Sequence, residues 1–346
     1  MFKKNSYLIS KALSNFMMAS ILTAVAQQLA TTVDAIVVSH LIGPDAISAV
    51  NLVMPIVTLI ICVGMLFGVG GSVVVARAIG RRDQEEADSV FSASMIASIV
   101  IGLMLSVVLC VLAPEIVALL CPADSRIYPL TVIYMRTLML GISLQLVSFT
   151  LQNFVKTDGQ PRLVMKAVIV SSVANLVLDI VLIQFFHMGI AGSAWATVAS
   201  HLIAILICIS HLRNPNRSFH FIVKWKRCWA HVTNCVAEGL PMSINTFLMA
   251  LSIYAFNSMV LHAFGADGMY VWSICLQLFL IMQMVLGGIA TSIYAIGGVL
   301  TGEGDMPGLT MLTRRVKGYV CALMVAIMLF VMTMPDVFGS LFGSPQ

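Results

Sequence analysis

The sequence predicts an all-α polytopic membrane protein. It would comprise two six-helix lobes related by a pseudo-two-fold along the membrane normal, the second lobe incomplete, with about nine transmembrane helices present. Three observations carry this reading. Of the 346 residues, 60% are hydrophobic and only 10% charged, whereas soluble domains carry roughly a quarter charged residues. Nine apolar runs each reach the ~20 residues needed to cross a hydrocarbon core. A shift of 222 residues lays His40-x-x-Gly43-x-Asp45 on His262-x-x-Gly265-x-Asp267, and Gly80-x-x-Asp83 on Gly302-x-x-Asp305, without a gap.

The runs cover residues 14–39, 50–76, 90–113, 130–155, 165–186, 190–211, 236–261, 270–300 and 316–334. The basic residues orient them. Lys3, Lys4 and Lys11 precede span 1; Arg77, Arg81 and Arg82 follow span 2; Lys156, Arg162 and Lys166 follow span 4. Arg213, Arg217, Lys224, Lys226 and Arg227 follow span 6, and Arg314, Arg315 and Lys317 lie at the start of span 9. These alternate loops hold 17 of the 19 Lys and Arg, which makes them and the N-terminus cytoplasmic by the positive-inside rule. Arg126 lies in an outer loop, and Arg136 in the outer third of span 4 can snorkel outward. Lys3, Lys4 and Ala24-Val25-Ala26 also resemble a signal peptide with its cleavage site. Against that, the apolar run continues past Gln27 and Gln28 to Ser39.

The repeat organises the chain. Six spans return the first copy to the cytoplasm, so both copies run in the same direction; parallel repeats of this kind build transporters with the substrate site between the halves. Residues 1–212 then form the N-terminal lobe, 213–235 a cytoplasmic linker and 236–346 a partial C-terminal lobe of three helices. The linker, with Phe219-His220-Phe221-Ile222-Val223-Lys224-Trp225, is expected on the inner surface, Trp225 and Trp229 at headgroup level. Residue 346 maps onto position 124 of the first copy, so three spans are missing. A fragment or truncated gene product is favoured over completion by oligomerising.

The polar positions inside the spans point to function. A carboxylate at membrane depth costs at least a few kcal/mol and is a functional hypothesis by default. Asn175 and Asp179 are spaced i,i+4, on one helix face. At ~1.5 Å per residue, Asp34, Asp179 and Thr197 all lie roughly 9–12 Å below the outer boundary. A deeper layer holds Asn175 and Gln27, with Thr31 on the same face as Gln27 and Asp34. Singly, Gln27, Thr31 and Thr197 read equally well as ordinary helix–helix hydrogen bonders. Asp34 and Asp179 have no Lys or Arg at their depth except Arg136, and so call for a cation or protons. Burial and a neighbouring carboxylate both raise a carboxyl pKa, which suits proton uptake; the same oxygens with nearby amides suit a hard cation such as sodium at Asp34, Asp179 and Asn175. Both coupling ions stay open. In the second copy Phe256 stands at the position of Asp34, so the ion chemistry belongs to the first half.

Other classes are excluded or weak. There is no GK[ST] phosphate loop, no structural metal-ligand cluster, no cofactor signature and no nucleic-acid patch, so the chain is read as a non-enzyme. The eight Cys behave as small hydrophobes. The 23 Met are more ordinary as membrane filler than as cavity lining. Gly64, Gly68, Gly70 and Gly71, with Gly287 and Gly288, suit close helix packing, and Pro55 and Pro241 suit a kink and a helix start.

Taken together, Thr-Thr-Val-Asp34-Ala-Ile-Val-Val-Ser, Gly43-Pro-Asp-Ala-Ile-Ser-Ala-Val, Lys156-Thr-Asp-Gly159-Gln-Pro, Asn175-x-x-x-Asp179 and Gly189-Ile-Ala-Gly-Ser-Ala-Trp-Ala-Thr197 resemble the multidrug and toxic compound extrusion (MATE) family. The likeness is greatest to its DNA-damage-inducible-protein-like branch. It implies twelve spans in two lobes around a cleft, in the cell (inner) membrane, monomeric if complete. It also implies export of small hydrophobic or cationic, drug-like substrates in exchange for sodium or protons. By resemblance Asp34, Asp179, Asn175, Thr197 and Gln27 take the ion-linked positions, with Gln152 or Asn153 a further polar position on span 4. Met249 stands where another branch carries an acid. The chain has no proline before Pro44, so the bending of span 1 described for some relatives does not carry over. The alternatives are a lipid-linked oligosaccharide flippase, which would be expected to line its cleft with several cations, and a non-transporting truncated membrane protein.

Overall fold

The computed structural model describes residues 44–120, 127–213, 217–222 and 225–333, with isolated positions before Pro44; side chains at 225–229, at 264–285 and at scattered neighbouring positions fall outside the description. The described residues are helical, with no strand among them. The helices, numbered here in chain order, are α1 Pro44–Gly80, α2 Gln84–Val111, α3 Ala113–Leu120, α4 Tyr128–Leu140, α5 Ile142–Thr157, α6 Pro161–Ile180, α7 Ile190–Ile209, α8 Trp225–Glu303 and α9 Met306–Thr333. Among the described residues, α1, α2, α6 with its π-helical extension Val181–Phe185, and α7 are each long and apolar enough to cross a membrane; α4 and α5 together make a fifth, bent by 50°. Large apolar side chains cover the outer faces, including Met104 and Val107 on α2, Val173 and Val177 on α6, and Leu206 on α7. Exposure of that kind suits lipid.

Span 4 was expected as one run over 130–155. It is broken at Gly141, where α7 passes too close for a side chain: a Cβ on Gly141 would run into the Val198 side chain. Two apolar clusters build the first half. One joins α1 from Ala46 to Ile60 with α3, α4 and the start of α7. The other, at the end carrying the basic loops, joins Val74–Ala78 of α1 with α2, α5, α6, Cys208 of α7 and Phe219.

The repeat holds bond for bond at the α1–α2 and α8–α9 corners. Arg82 and Gly304 are equivalent under the 222-residue shift, and both take positive φ, 58° and 72°. Asp83 N–H donates to Ala78 O and Arg82 N–H to Ile79 O; at the second corner Asp305 N–H donates to Leu300 O and Gly304 N–H to Thr301 O. These are paired helix-ending bonds around a left-handed residue. Asp83 Oδ1 then accepts from Glu86 N–H at 3.0 Å, and Asp305 Oδ1 from Gly308 N–H at 2.9 Å, so equivalent aspartates cap the next helix. Replacing either by alanine is expected to cost about 1 kcal/mol, read as a small fall in thermal midpoint of the purified protein.

The second half departs from expectation in one respect. A loop was expected at 262–267, but the helical hydrogen-bond pattern runs unbroken through α8 for 79 residues. No proline lies between Pro241 and Glu303 to remove a backbone donor. The segment nevertheless doubles back. Tyr294 Oη reaches Met242 Sδ at 3.8 Å, although 52 residues of straight helix would separate them by ~78 Å. Met242 and Tyr294 are thus neighbours, and α8 folds back on itself between them.

The linker is pinned, not lying free on the surface. Phe219 is fully buried, its ring 4.5 Å from Phe91 and 5.8 Å from Phe154 by centroids. Asp158 Oδ1 accepts from Ser218 N–H, Asp88 Oδ1 from His220 N–H and Ser92 Oγ from Ile222 N–H. Asp158 Oδ2 also meets His211 Nε2 at 2.5 Å, both side chains almost fully buried. Asp158→Ala is expected to loosen the Ser218 end of the 217–222 segment, at a cost of about 1 kcal/mol or more; faster proteolysis within the linker would report it. Trp225 and Trp229, expected at headgroup level, have side chains outside the description.

Candidate functional site

Between the two apolar clusters lies a layer of polar side chains. On α2 and α5, Ser98 Oγ and Thr150 Oγ1 share a buried 2.8 Å hydrogen bond. Gln152 Nε2 donates to Ser148 Oγ at 2.9 Å, and Asn153 Nδ2 to Phe149 O at 2.8 Å. On α7, Thr197 Oγ1 donates to Ser193 O at 3.1 Å. Each of these three positions therefore spends a donor within its own helix, which for Thr197 is the ordinary helix-bonding role. Their acceptor lone pairs remain.

Asp179 sits in the last turn of α6 and is 0% exposed. Val173, Val177 and Ile180 on other faces of α6 are exposed, so the carboxylate points into the bundle, away from the lipid-facing surface. Asn175, one turn earlier, has its Nδ2 buried with no hydrogen-bond partner among the described residues. The i,i+4 spacing thus does put acid and amide on one inward face. The helix changes to π form at Val181–Phe185, directly after the acid; such widened turns recur at functional sites. Gly192 at the start of α7 packs against it, 3.2 Å from Leu182 for an added Cβ. Arg136 is exposed and makes no ion pair among the described residues. Gln27, Thr31 and Asp34 lie outside the described residues.

Sequence reading passed over Ser98, Thr150, Ser148 and Ser193, because single hydroxyl residues in apolar helices are common. The spacing of Ser94, Ser98, Gly102 and Ser106 on one face of α2 was the signal available.

The two halves meet along α1. Ser243 Oγ donates to Cys62 O, Thr246 Oγ1 to Met65 Sδ, and Ser94 Oγ and Cys235 Sγ lie 3.4 Å apart. Residues 235–246 therefore run antiparallel to α1. Residues 298–302 run parallel to it: a Cβ on Gly298 would lie 2.5 Å from that of Ala76, and one on Gly302 would lie 2.9 Å from the Gly80 Cα. Outward of Cys62 the same stripe of α1 is exposed at Leu59 (50%) and Pro55. Val69, Ser72, Asn153, Lys156, Thr157 and Tyr294 line a small recess between the halves.

These helices, long and apolar enough to cross a membrane and with a fully buried acid on α6, define an all-α polytopic membrane fold. The chain superposes on a solved outward-facing conformation of a multidrug resistance MATE family transporter of the MOP superfamily with a TM-score of 0.86, covering 97% of this chain and 74% of that one at 24% identity. A crystal structure of a MATE P26A mutant gives 0.89, covering 96% and 75% at 24% identity. At such identity the likeness speaks for the fold. The MatE family profile matches residues 19–181. It is 26% identical over 286 residues to the multidrug export protein MepA of Staphylococcus haemolyticus, covering 82% of this chain and 63% of MepA. With the probable multidrug resistance protein YoeA of Bacillus subtilis it shares 27% over 313 residues, covering 88% and 67%.

Proposed function

We propose that the chain acts in secondary active multidrug efflux by alternating access, exporting drug-like, often cationic compounds across the inner membrane in exchange for protons or sodium. The observation that carries the proposal is the fully buried Asp179, with Asn175 one turn away, in an otherwise apolar helix of a MATE fold. The names of MepA and YoeA, multidrug export and multidrug resistance, support the substrate class. In this reading Asp34, Asp179, Asn175, Thr197 and Gln27 take up the coupling ion, with Thr31 and Gln152 or Asn153 as an adjoining network. The N-terminus and the basic loops face the cytoplasm.

The chemistry follows from burial. A carboxylate removed from water binds a proton or a cation far more readily than one in solution. Occupancy by the ion favours one arrangement of the halves, and occupancy by substrate the other, so each displaces the other only to the extent of its differential affinity for the two. One charge moving down a 100 mV potential supplies ~2.3 kcal/mol, enough for a gradient of roughly fiftyfold. The test is accumulation of a fluorescent cationic dye in cells expressing the protein. Lower accumulation than in vector controls, restored by dissipating the ion gradients, is expected; accumulation equal to the controls would count against export.

A further inference from the structure

Among the described residues, an ion pair joins the two halves. Arg77, near the end of α1, makes a bidentate contact with Glu238 of α8, Nη1 to Oε1 at 2.5 Å and Nη2 to Oε2 at 3.0 Å. Both side chains are partly exposed, 39% and 34%. The pair sits beside a close approach of the two backbones. Added Cβ atoms on Gly80 and Gly302 would run into Val299 O and Arg77 O respectively. Ala76-x-x-x-Gly80 thus crosses Gly298-x-x-x-Gly302, the small-residue pattern that lets helices touch in membranes. The contact is reciprocal under the repeat: Ala76 pairs with Gly298 and Gly80 with Gly302, each 222 residues apart. Whatever separates the halves at this end must break this crossing and the Arg77–Glu238 fork together.

We propose that the Arg77–Glu238 pair and the Ala76/Gly80–Gly298/Gly302 crossing form a latch that keeps the basic-loop end closed, and that the strength of the ion pair sets how often that end opens. The proposal rests on the alternating-access reading for its purpose, since substrate enters from the basic-loop side. The fork is suited to the task. A planar guanidinium–carboxylate pair fixes register as well as distance, while its partial exposure keeps it weak enough to break in each cycle. The crossing supplies the contact area and the ion pair the adjustable part.

Hydrogen–deuterium exchange on the purified full protein in lipid nanodiscs reads the latch without relying on transport. Peptides covering residues 72–82 and 296–306 are expected to exchange roughly two- to fivefold faster in Glu238→Gln and in Arg77→Ala than in the parent. Peptides from α6 and α7 should be unchanged. The exchanged pair, Arg77→Glu with Glu238→Arg, should return both regions towards parental protection. Unchanged exchange in both single variants, or a double variant no better protected than the singles, would overturn the latch. Dye efflux measured on the same variants separates the two readings. Faster exchange with dye efflux absent from the parent itself would sink the transport reading and leave the closure standing.

Discussion

Asp179→Asn is expected to bring dye efflux down to the level of vector controls while leaving the protein folded and in the membrane. Asparagine keeps the shape of the side chain and can occupy the same inward position behind Val181–Phe185, but it cannot take up a proton and neutralises no cation. With the coupling ion lost, the membrane potential no longer bears on substrate through this site. That removes the drive supplied by the ion's own gradient, about 1.4 kcal/mol for each tenfold concentration difference, so the steady-state dye gradient should fall to that of the controls. The inward direction of Asp179 makes the substitution informative, since a lipid-facing acid could be neutralised at no cost to function. Asn175→Ala is expected to act in the same direction but more weakly, because the amide can only orient or help to dehydrate the ion. A dye-accumulation assay on both variants, with membrane abundance measured alongside, checks the order.

Gly70→Leu is expected to prevent the halves from packing. A Cβ at Gly70 would collide with Cys235 O and sit 2.6 Å from Gly239 N; a Cβ on Gly239 would in turn sit 2.6 Å from Leu66 Cα and 2.7 Å from Met65 O. These neighbours are backbone atoms, so no rotamer change relieves the overlap. Overpacking of this kind costs typically ~1–3 kcal/mol, and a branched side chain pressed between two backbones belongs at the upper end. The purified variant should melt several degrees lower. Gly287→Ala is the control: a Cβ there meets nothing within 4 Å, and the melting temperature should not fall. The glycines of span 2 are thus packing positions, as their composition suggested, whereas Gly287 has no such role among the described residues.

How much of this was legible in the sequence depended on range. Apolar length and charged loops are local signals, and they marked spans 2 to 6 to within about six residues, span 1 lying outside the described residues. The corners of the repeat were also local. Gly80-x-x-Asp83 and Gly302-x-x-Asp305 were visible as motifs because a cap and the turn before it are built from neighbours in sequence. The break at Gly141 was not legible, and the closeness of Val198 that leaves no room for a side chain there comes from another helix. Nor was the docking of Phe219, which depends on Phe91 and Phe154 from distant helices. A Phe-His-Phe-Ile stretch reads as amphipathic until those partners are placed.

The site divided the same way. The shared face of Asn175 and Asp179 followed from helical spacing, and the burial of Asp179 agrees with it. The Ser98–Thr150 bond and the self-satisfied donors of Gln152, Asn153 and Thr197 required three dimensions. The meeting of Asp179 with Asp34 at one height is an expectation from counting residues along two helices, and Asp34 lies outside the described residues.

The most direct test of that meeting uses the purified protein in proteoliposomes, loaded with a cationic dye and given a sodium gradient or a proton gradient one at a time. The account predicts that one of the two gradients drives dye movement in the parent, and that both Asp34→Asn and Asp179→Asn abolish that response. Gradient-driven movement that persists at the parental rate in either variant would contradict it.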